Sequence, residues 1–205
     1  QSGLWISELF SHVAQCADDL CLIRSMRNDH ADHFQATLGI HTGSVTFARP
    51  SIGAWVSHGL GTVNQNLPSF VVMISQGTGR RDDQPLYDRL WGSGFLPSRF
   101  QGVKFRSQGD PVLFLSNPPG LDGAARRQML DDLAELNRLR LQTQGDPEIA
   151  TRIEQYELAY RMQSSVPDLV RTADEPASTF ELYGEEAKTP GTYAANCLLA
   201  RRLVE

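Results

Sequence analysis

Residues 24–43 read Arg-Ser-Met-Arg-Asn-Asp-His-Ala-Asp-His-Phe-Gln-Ala-Thr-Leu-Gly-Ile-His-Thr-Gly, and they hold three of the chain's five histidines together with Asp29 and Asp32. Imidazoles and carboxylates at this density are able to bind a divalent metal, whether zinc, calcium or magnesium, or to move protons as acid and base. His30 and His33 are the candidate catalytic groups; His33, Asp29 and Asp32 are the candidate metal ligands. A spacing of three puts His30 and His33 on one face of a helix that starts early enough to include both. The competing reading is a polar loop whose histidines are held in structural hydrogen bonds. The spacing matches no tight metal motif such as HExxH, and the chain has neither a P-loop nor a GxSxG elbow. Gly77-Thr-Gly79 followed by Arg80 and Arg81 is a weak match to an anion-binding turn, and a solvated loop explains it better.

Such a segment needs elements to position it. Ile6, Leu9, Phe10, Val13, Ala17 and Leu20 fall at helical spacing and predict an amphipathic helix over 7–19. The apolar run Leu20-Cys-Leu-Ile23 then reads as a short buried strand. Ligands in open α/β sheets sit beyond the carboxyl ends of strands, which is where the His/Asp segment begins. A helix N-terminus at that point also favours an anion such as sulfate or phosphate. Ser51 is placed to cap a helix carrying Ile52, Trp55 and Val56, with Gly59 or Gly61 to end it. Phe70-Val-Val-Met-Ile74 is apolar throughout, as a strand covered on both faces should be. Alternation of this kind predicts an α/β fold with a parallel, layered sheet.

Residues 76–120 are rich in Gly, Pro and polar residues, with Val112–Leu115 as one possible strand; a stretch this long lines a site or is a plain insertion. The remainder is helical. Asp122 caps a helix with Met129, Leu133 and Leu136 on one face, ending at Gly145. Asp146-Pro147 restarts a helix with Ile149, Ile153, Tyr156 and Tyr160 in one stripe, and Val166-Pro167 is expected to stop it. The short link predicts an antiparallel hairpin. Ser178-Thr-Phe-Glu181 reads as a capping box closed by Gly184, and Tyr193, Cys197, Ala200 and Val204 line a last helix. The organisation is a partial α/β core over 1–120 and a helical segment of the same domain over 121–205.

The 205 residues are 40% hydrophobic and 21% charged, which is globular composition. A net charge of -5 without a dense Lys/Arg block makes nucleic acid a poor partner. No apolar run reaches the ~18 residues of a membrane span. Cys16, Cys21 and Cys197 form no CxxC pair, and buried free thiols are the simplest expectation. Gln1 at the start and an uncapped apolar helix at the end suggest an internal piece of a longer chain.

Several phrases carry a family resemblance: Gly3-Leu-Trp-Ile-Ser-Glu-Leu-Phe10, Leu22-Ile-Arg-Ser-Met26, His41-Thr-Gly43, Arg49-Pro-Ser-Ile-Gly-Ala-Trp55, Asn64-Gln-Asn-Leu-Pro68, Ser93-Gly-Phe-Leu-Pro97, Tyr160-Arg-Met-Gln163 and Cys197-Leu-Leu-Ala-Arg-Arg202. Together they resemble the bacterial sulfatase-like proteins catalogued as a domain of unknown function, family 1501. The resemblance implies part of a sulfatase/alkaline-phosphatase-like core, in a longer protein that is periplasmic or secreted. It implies metal-assisted hydrolysis of sulfate or phosphate esters, on a small molecule or a glycan. Sulfatases carry Cys/Ser-x-Pro-x-Arg ahead of a Thr-Gly. Matching Thr42-Gly43 to that Thr-Gly puts His33 at the nucleophile position, Gln35 at the Pro and Thr37 at the Arg. A formylglycine mechanism therefore has no precursor residue, while His33 keeps the chemistry of a ligand or a nucleophile. The superfamily's other metal ligands are expected before Gln1 and after Glu205, in the remaining part of the parent chain. The alternatives are an exported, non-catalytic member that binds a glycan or a partner, and a segment that serves mainly as scaffold.

Overall fold

The structure, a computed structural model, describes residues 3–47, 49–75, 88–106, 110–112, 115–172 and 174–205. The first expected helix is broken: Glu8–Phe10 and Ala17–Asp19 are single 3-10 turns around α1 (Ser11–Gln15). Helices this short depend on tertiary packing of their apolar face. Here Leu9, Phe10 and Val13 are turned to solvent instead. The following run is not a strand. Leu20, Leu22 and Ile23 are 45%, 59% and 62% exposed in an irregular segment. An apolar run states a need for burial, but a strand forms only where a partner edge is in reach.

Capping chemistry places the next two helices. The Asp32 carboxylate accepts from the Phe34 and Gln35 amides to start α2 (His33–Thr42), and Gly43 closes it at φ 72°. The Ser51 hydroxyl accepts from Ala54 N to start α3 (Ile52–Leu60), which ends at Gly61. β1 (Val71–Met73) lies within the expected apolar run but is only half-buried. It pairs in parallel with β2 (Val103–Phe105), Val71 opposite Val103 and Met73 opposite Phe105. These are the only strands among the described residues, and helix dominates. The expected α/β parallel-sheet core is thereby overturned. The fold is mostly helical with one two-stranded ribbon, because only one apolar run of the first half finds a pairing partner. Leu113 and Phe114, in the possible strand 112–115, and the turn Gly77–Arg81 lie outside the described residues.

The helical hairpin is present as α4 (Gly123–Gln144) and α5 (Pro147–Val170), with Asp122 and Asp146 as caps and Gly145 at φ 70° between them. Its buried stripe differs from the expected one. Leu130 and Ala134 are buried in α4, whereas Met129, Leu133 and Leu136 are exposed. Pro167 does not stop α5: Val166 is fully buried and Leu169 and Val170 pack on the same cluster, so tertiary contacts hold the last turn. α6 (Ala177–Tyr183) starts behind Pro176 without a side-chain cap, so the expected capping box is not used. α7 (Tyr193–Val204) is capped by Thr192.

Two apolar clusters flank the ribbon, following the period of two along β1. Val71 and Met73 pack with Leu67, Phe105, Leu115, Met162 and Val166, the last two from α5. Phe70, Val72 and Ile74 pack with Leu38 of α2 and with Leu90 and Trp91. Ion pairs tie the helices together. The Arg127 guanidinium of α4 meets Glu157 of α5 at 2.6 Å, which raises the arginine and holds the Glu157 carboxyl below its ordinary value. Glu175 accepts from Arg202 and Arg201, and these hydrogen bonds, Arg202 first, lower it against the opposing effect of desolvation. Among the described residues, no helix is long and apolar enough to cross a membrane.

Candidate functional site

The His/Asp segment is folded onto the start of α2 by its own side chains. Asn28 is the organising residue: its Nδ2 donates to the Ala36 carbonyl at 2.8 Å and its Oδ1 accepts from the His30 amide at 3.1 Å. His30 Nδ1 accepts from the Asp32 amide at 3.1 Å, which assigns the proton of the neutral ring to Nε2. Asp32 Oδ1 accepts from Phe34 N at 2.9 Å and from Gln35 N at 3.4 Å. Asp29, His30, Asp32 and His33 are all exposed, and His33 is the first residue of α2. The expected cleft at the end of a strand over 20–23 loses its basis, since that strand is not formed. Among the described residues, no three His, Cys, Asp or Glu side chains come together as a group able to hold a metal ion.

What the fold does bring together is a small polar pocket of about 380 Å³ beside this segment. Arg27, Asn28 and Asp29 line it from one side, the Gly43–Phe47 return and Arg49 from the other. The return is stiffened by hydroxyls. Thr42 Oγ1 donates to the Leu38 carbonyl at 2.8 Å, and Ser44 Oγ accepts from Phe47 N at 3.0 Å. Gly39 allows the close approach, because a Cβ there would meet Val45 Cγ1 at 3.1 Å and Asn28 Nδ2 at 3.4 Å. A lining with two arginines and one acidic residue suits an anionic group better than a cation. The sequence reading missed Arg27 and Arg49 because they join only through the return after α2; the Asn28-to-Ala36 bond is equally non-local.

A larger cleft of about 780 Å³ lies between residues 61–69, residues 98–103 and α5. Arg99 Nη1 pairs with Glu154 at 3.2 Å, and Arg161 Nε donates to the Gln65 carbonyl at 2.9 Å. Ser98 Oγ donates to Glu148 at 2.8 Å and accepts from Gln155 Nε2 at 3.2 Å. Four aromatic rings in sequence lead to its mouth: Phe95 against Trp55 at 5.7 Å, Trp55 against His58 at 6.1 Å, and His58 against Phe100 at 5.0 Å.

No curated protein and no solved structure shows significant similarity to the chain. The family model described as "Protein of unknown function (DUF1501)" matches residues 1–205, and with that match over its whole length the chain belongs to this family.

Proposed function

We propose that this chain serves in the recognition of sulfate or phosphate esters, borne on a small molecule or a glycan, with Arg27 and Arg49 taking the anionic group. The observation that carries the reading is the polar pocket whose lining includes two arginines, Arg27 and Arg49, and one acidic residue, Asp29. Guanidinium forks match the oxygen geometry of sulfate and phosphate, and each charge-assisted contact contributes roughly 1.5–3 kcal/mol. The resemblance to sulfatase-like proteins points to the same ester class.

Hydrolysis by the full-length protein is the second reading. The exposed imidazoles of His30, next in sequence to the pocket residue Asp29, and of His33, four residues after it, favour it. Imidazole serves as general acid, base or nucleophile.

Calorimetric titration with phenyl sulfate and phenyl phosphate tests recognition. Binding should weaken about tenfold or more in Arg27→Ala and in Arg49→Ala, in line with the loss of one charged contact. Unchanged affinity in the double variant refutes the reading. Release of phenol by the full-length protein, lost in His33→Ala, separates an enzyme from a binding protein.

A further inference from the structure

We propose that the cleft between residues 61–69, residues 98–103 and α5 is a binding site for an acidic oligosaccharide, independent of the pocket at Arg27 and Arg49. Three features of the cleft carry this. Its walls carry amide and hydroxyl side chains, among them Asn64, Gln65, Ser98, Gln101 and Gln155. Asn64 Oδ1, Ser98 Oγ and Gln155 Nε2 already bond within the chain, so the Gln65 and Gln101 amides and the Asn64 Nδ2 are the groups left to meet sugar hydroxyls. They do so beside an apolar floor that includes Leu158. Aromatic surface continues from the mouth. Trp55 and Phe95 are 46% and 69% exposed, and their contacts with His58 and Phe100 make one unbroken strip. The rings meet edge to face, at interplanar angles of 65°, 73° and 81°, so the strip offers alternating ring faces and edges as apolar surface to the C–H side of a sugar.

Charge selects the acidic member of the class. Arg99 and Arg161 border the cleft against one carboxylate, Glu154. Arg99 lies with its guanidinium carbon 4.9 Å from the Phe100 ring centroid. This contact and the pairing with Glu154 keep the cation at the cleft edge, where a uronate or sugar sulfate would share it with that carboxylate. A peptide ligand is a poorer match, because this polar wall offers side-chain hydroxyls and amides in place of a strand edge.

The test is calorimetry of the purified chain with a galacturonate hexamer and with maltohexaose as its neutral counterpart. Binding of the acidic hexamer at least tenfold tighter than the neutral one is expected. Phe100→Ala should lower affinity for the acidic hexamer at least tenfold. Arg99→Gln should remove most of the acidic preference; this side chain is about half exposed, and its loss leaves folding intact. Circular dichroism of each variant confirms the fold, and Phe100→Leu serves in place of Phe100→Ala if the latter unfolds. No binding of either hexamer at millimolar concentration, equal affinity for both, or affinity unmoved by either Phe100 variant overturns the proposal.

Discussion

Gly53→Ala should destabilise the fold, although it replaces glycine by the best helix former inside α3. The reason is the Phe70 ring. A Cβ built on Gly53 lies 2.3 Å from Phe70 Cζ, 2.4 Å from Cε1 and 2.6 Å from Cε2. The ring has little room to retreat, because Phe70 also packs against the buried cluster of Leu38, Leu90 and Trp91. Forcing extra volume into such a slot costs typically ~1–3 kcal/mol. Helix propensity returns at most ~1 kcal/mol. The expected net effect is a loss of up to ~3 kcal/mol. Gly59 of the same helix is the internal control: it is exposed, and a Cβ there meets nothing within 4 Å. Gly59→Ala should therefore stabilise by up to ~1 kcal/mol. Urea unfolding followed by circular dichroism measures both, with equal m-values required for comparison. The two substitutions should move the midpoint in opposite directions. If Gly53→Ala raises it as much as Gly59→Ala does, Phe70 is not wedged against α3 and the packing argument fails. Phe70→Leu in the Gly53→Ala background should recover part of the loss.

Val166→Ala removes two methyl groups from a side chain with no exposed surface, and chemical denaturation should show a loss of about 2–3 kcal/mol. Asp32→Ala removes the cap of α2 at a cost of roughly 0.5–2 kcal/mol, visible as faster hydrogen exchange at Phe34 and Gln35 while α5 keeps its protection. The pH dependence has a definite sign at Glu157. Its carboxyl is held below the ordinary value of 4.5, first by the Arg127 hydrogen bond, so its contribution is complete above that value and is lost as pH falls through the lowered one. The stability difference between the wild type and Glu157→Gln should be constant near neutrality and shrink below about pH 4.5. A difference that grows on acidification contradicts the assignment.

The parts of the fold that were readable are those written in local chemistry. Ser51 and Gly61 bound α3, and Asp122, Gly145 and Asp146-Pro147 bound the hairpin, because a cap satisfies backbone groups within its own turn. The errors come from longer range. Val103-Lys-Phe105 is too short to register as a strand, and only β1 makes it one. Leu20–Ile23 has the composition of a strand but pairs with no strand among the described residues. Pro167 has the composition of a stop, yet burial of Val166 beside it holds the helix together. The whole chain exposes 14795 Å², against the roughly 9600 Å² that surface scaling gives for a compact monomer of its mass. Many apolar side chains that patterning assigned to a core consequently lie outside one.

Composition at the site named the reactive groups but not which of their atoms were already engaged. One carboxylate oxygen of Asp32 accepts two amides of α2, so a cation or a proton at that residue must use the other oxygen or compete with the cap. His30 accepts the Asp32 amide at Nδ1, which leaves Nε2 as the nitrogen carrying the proton of the neutral ring. Any general-acid or hydrogen-bonding role of His30 therefore runs through Nε2, and metal ligation by that nitrogen requires the proton to leave or the Asp32 contact to break. The cationic side of the pocket was harder to see. Arg27 precedes α2 and Arg49 follows its return, so nothing local connects them. Asn28 and Gly39 make the approach possible, one by bonding the Ala36 carbonyl and the other by having no Cβ to hold the chains apart. The pocket lined by Arg27 and Arg49 is thus a product of the turn of the chain around α2, while His30 and His33, which stand out in the sequence, are not among its lining residues.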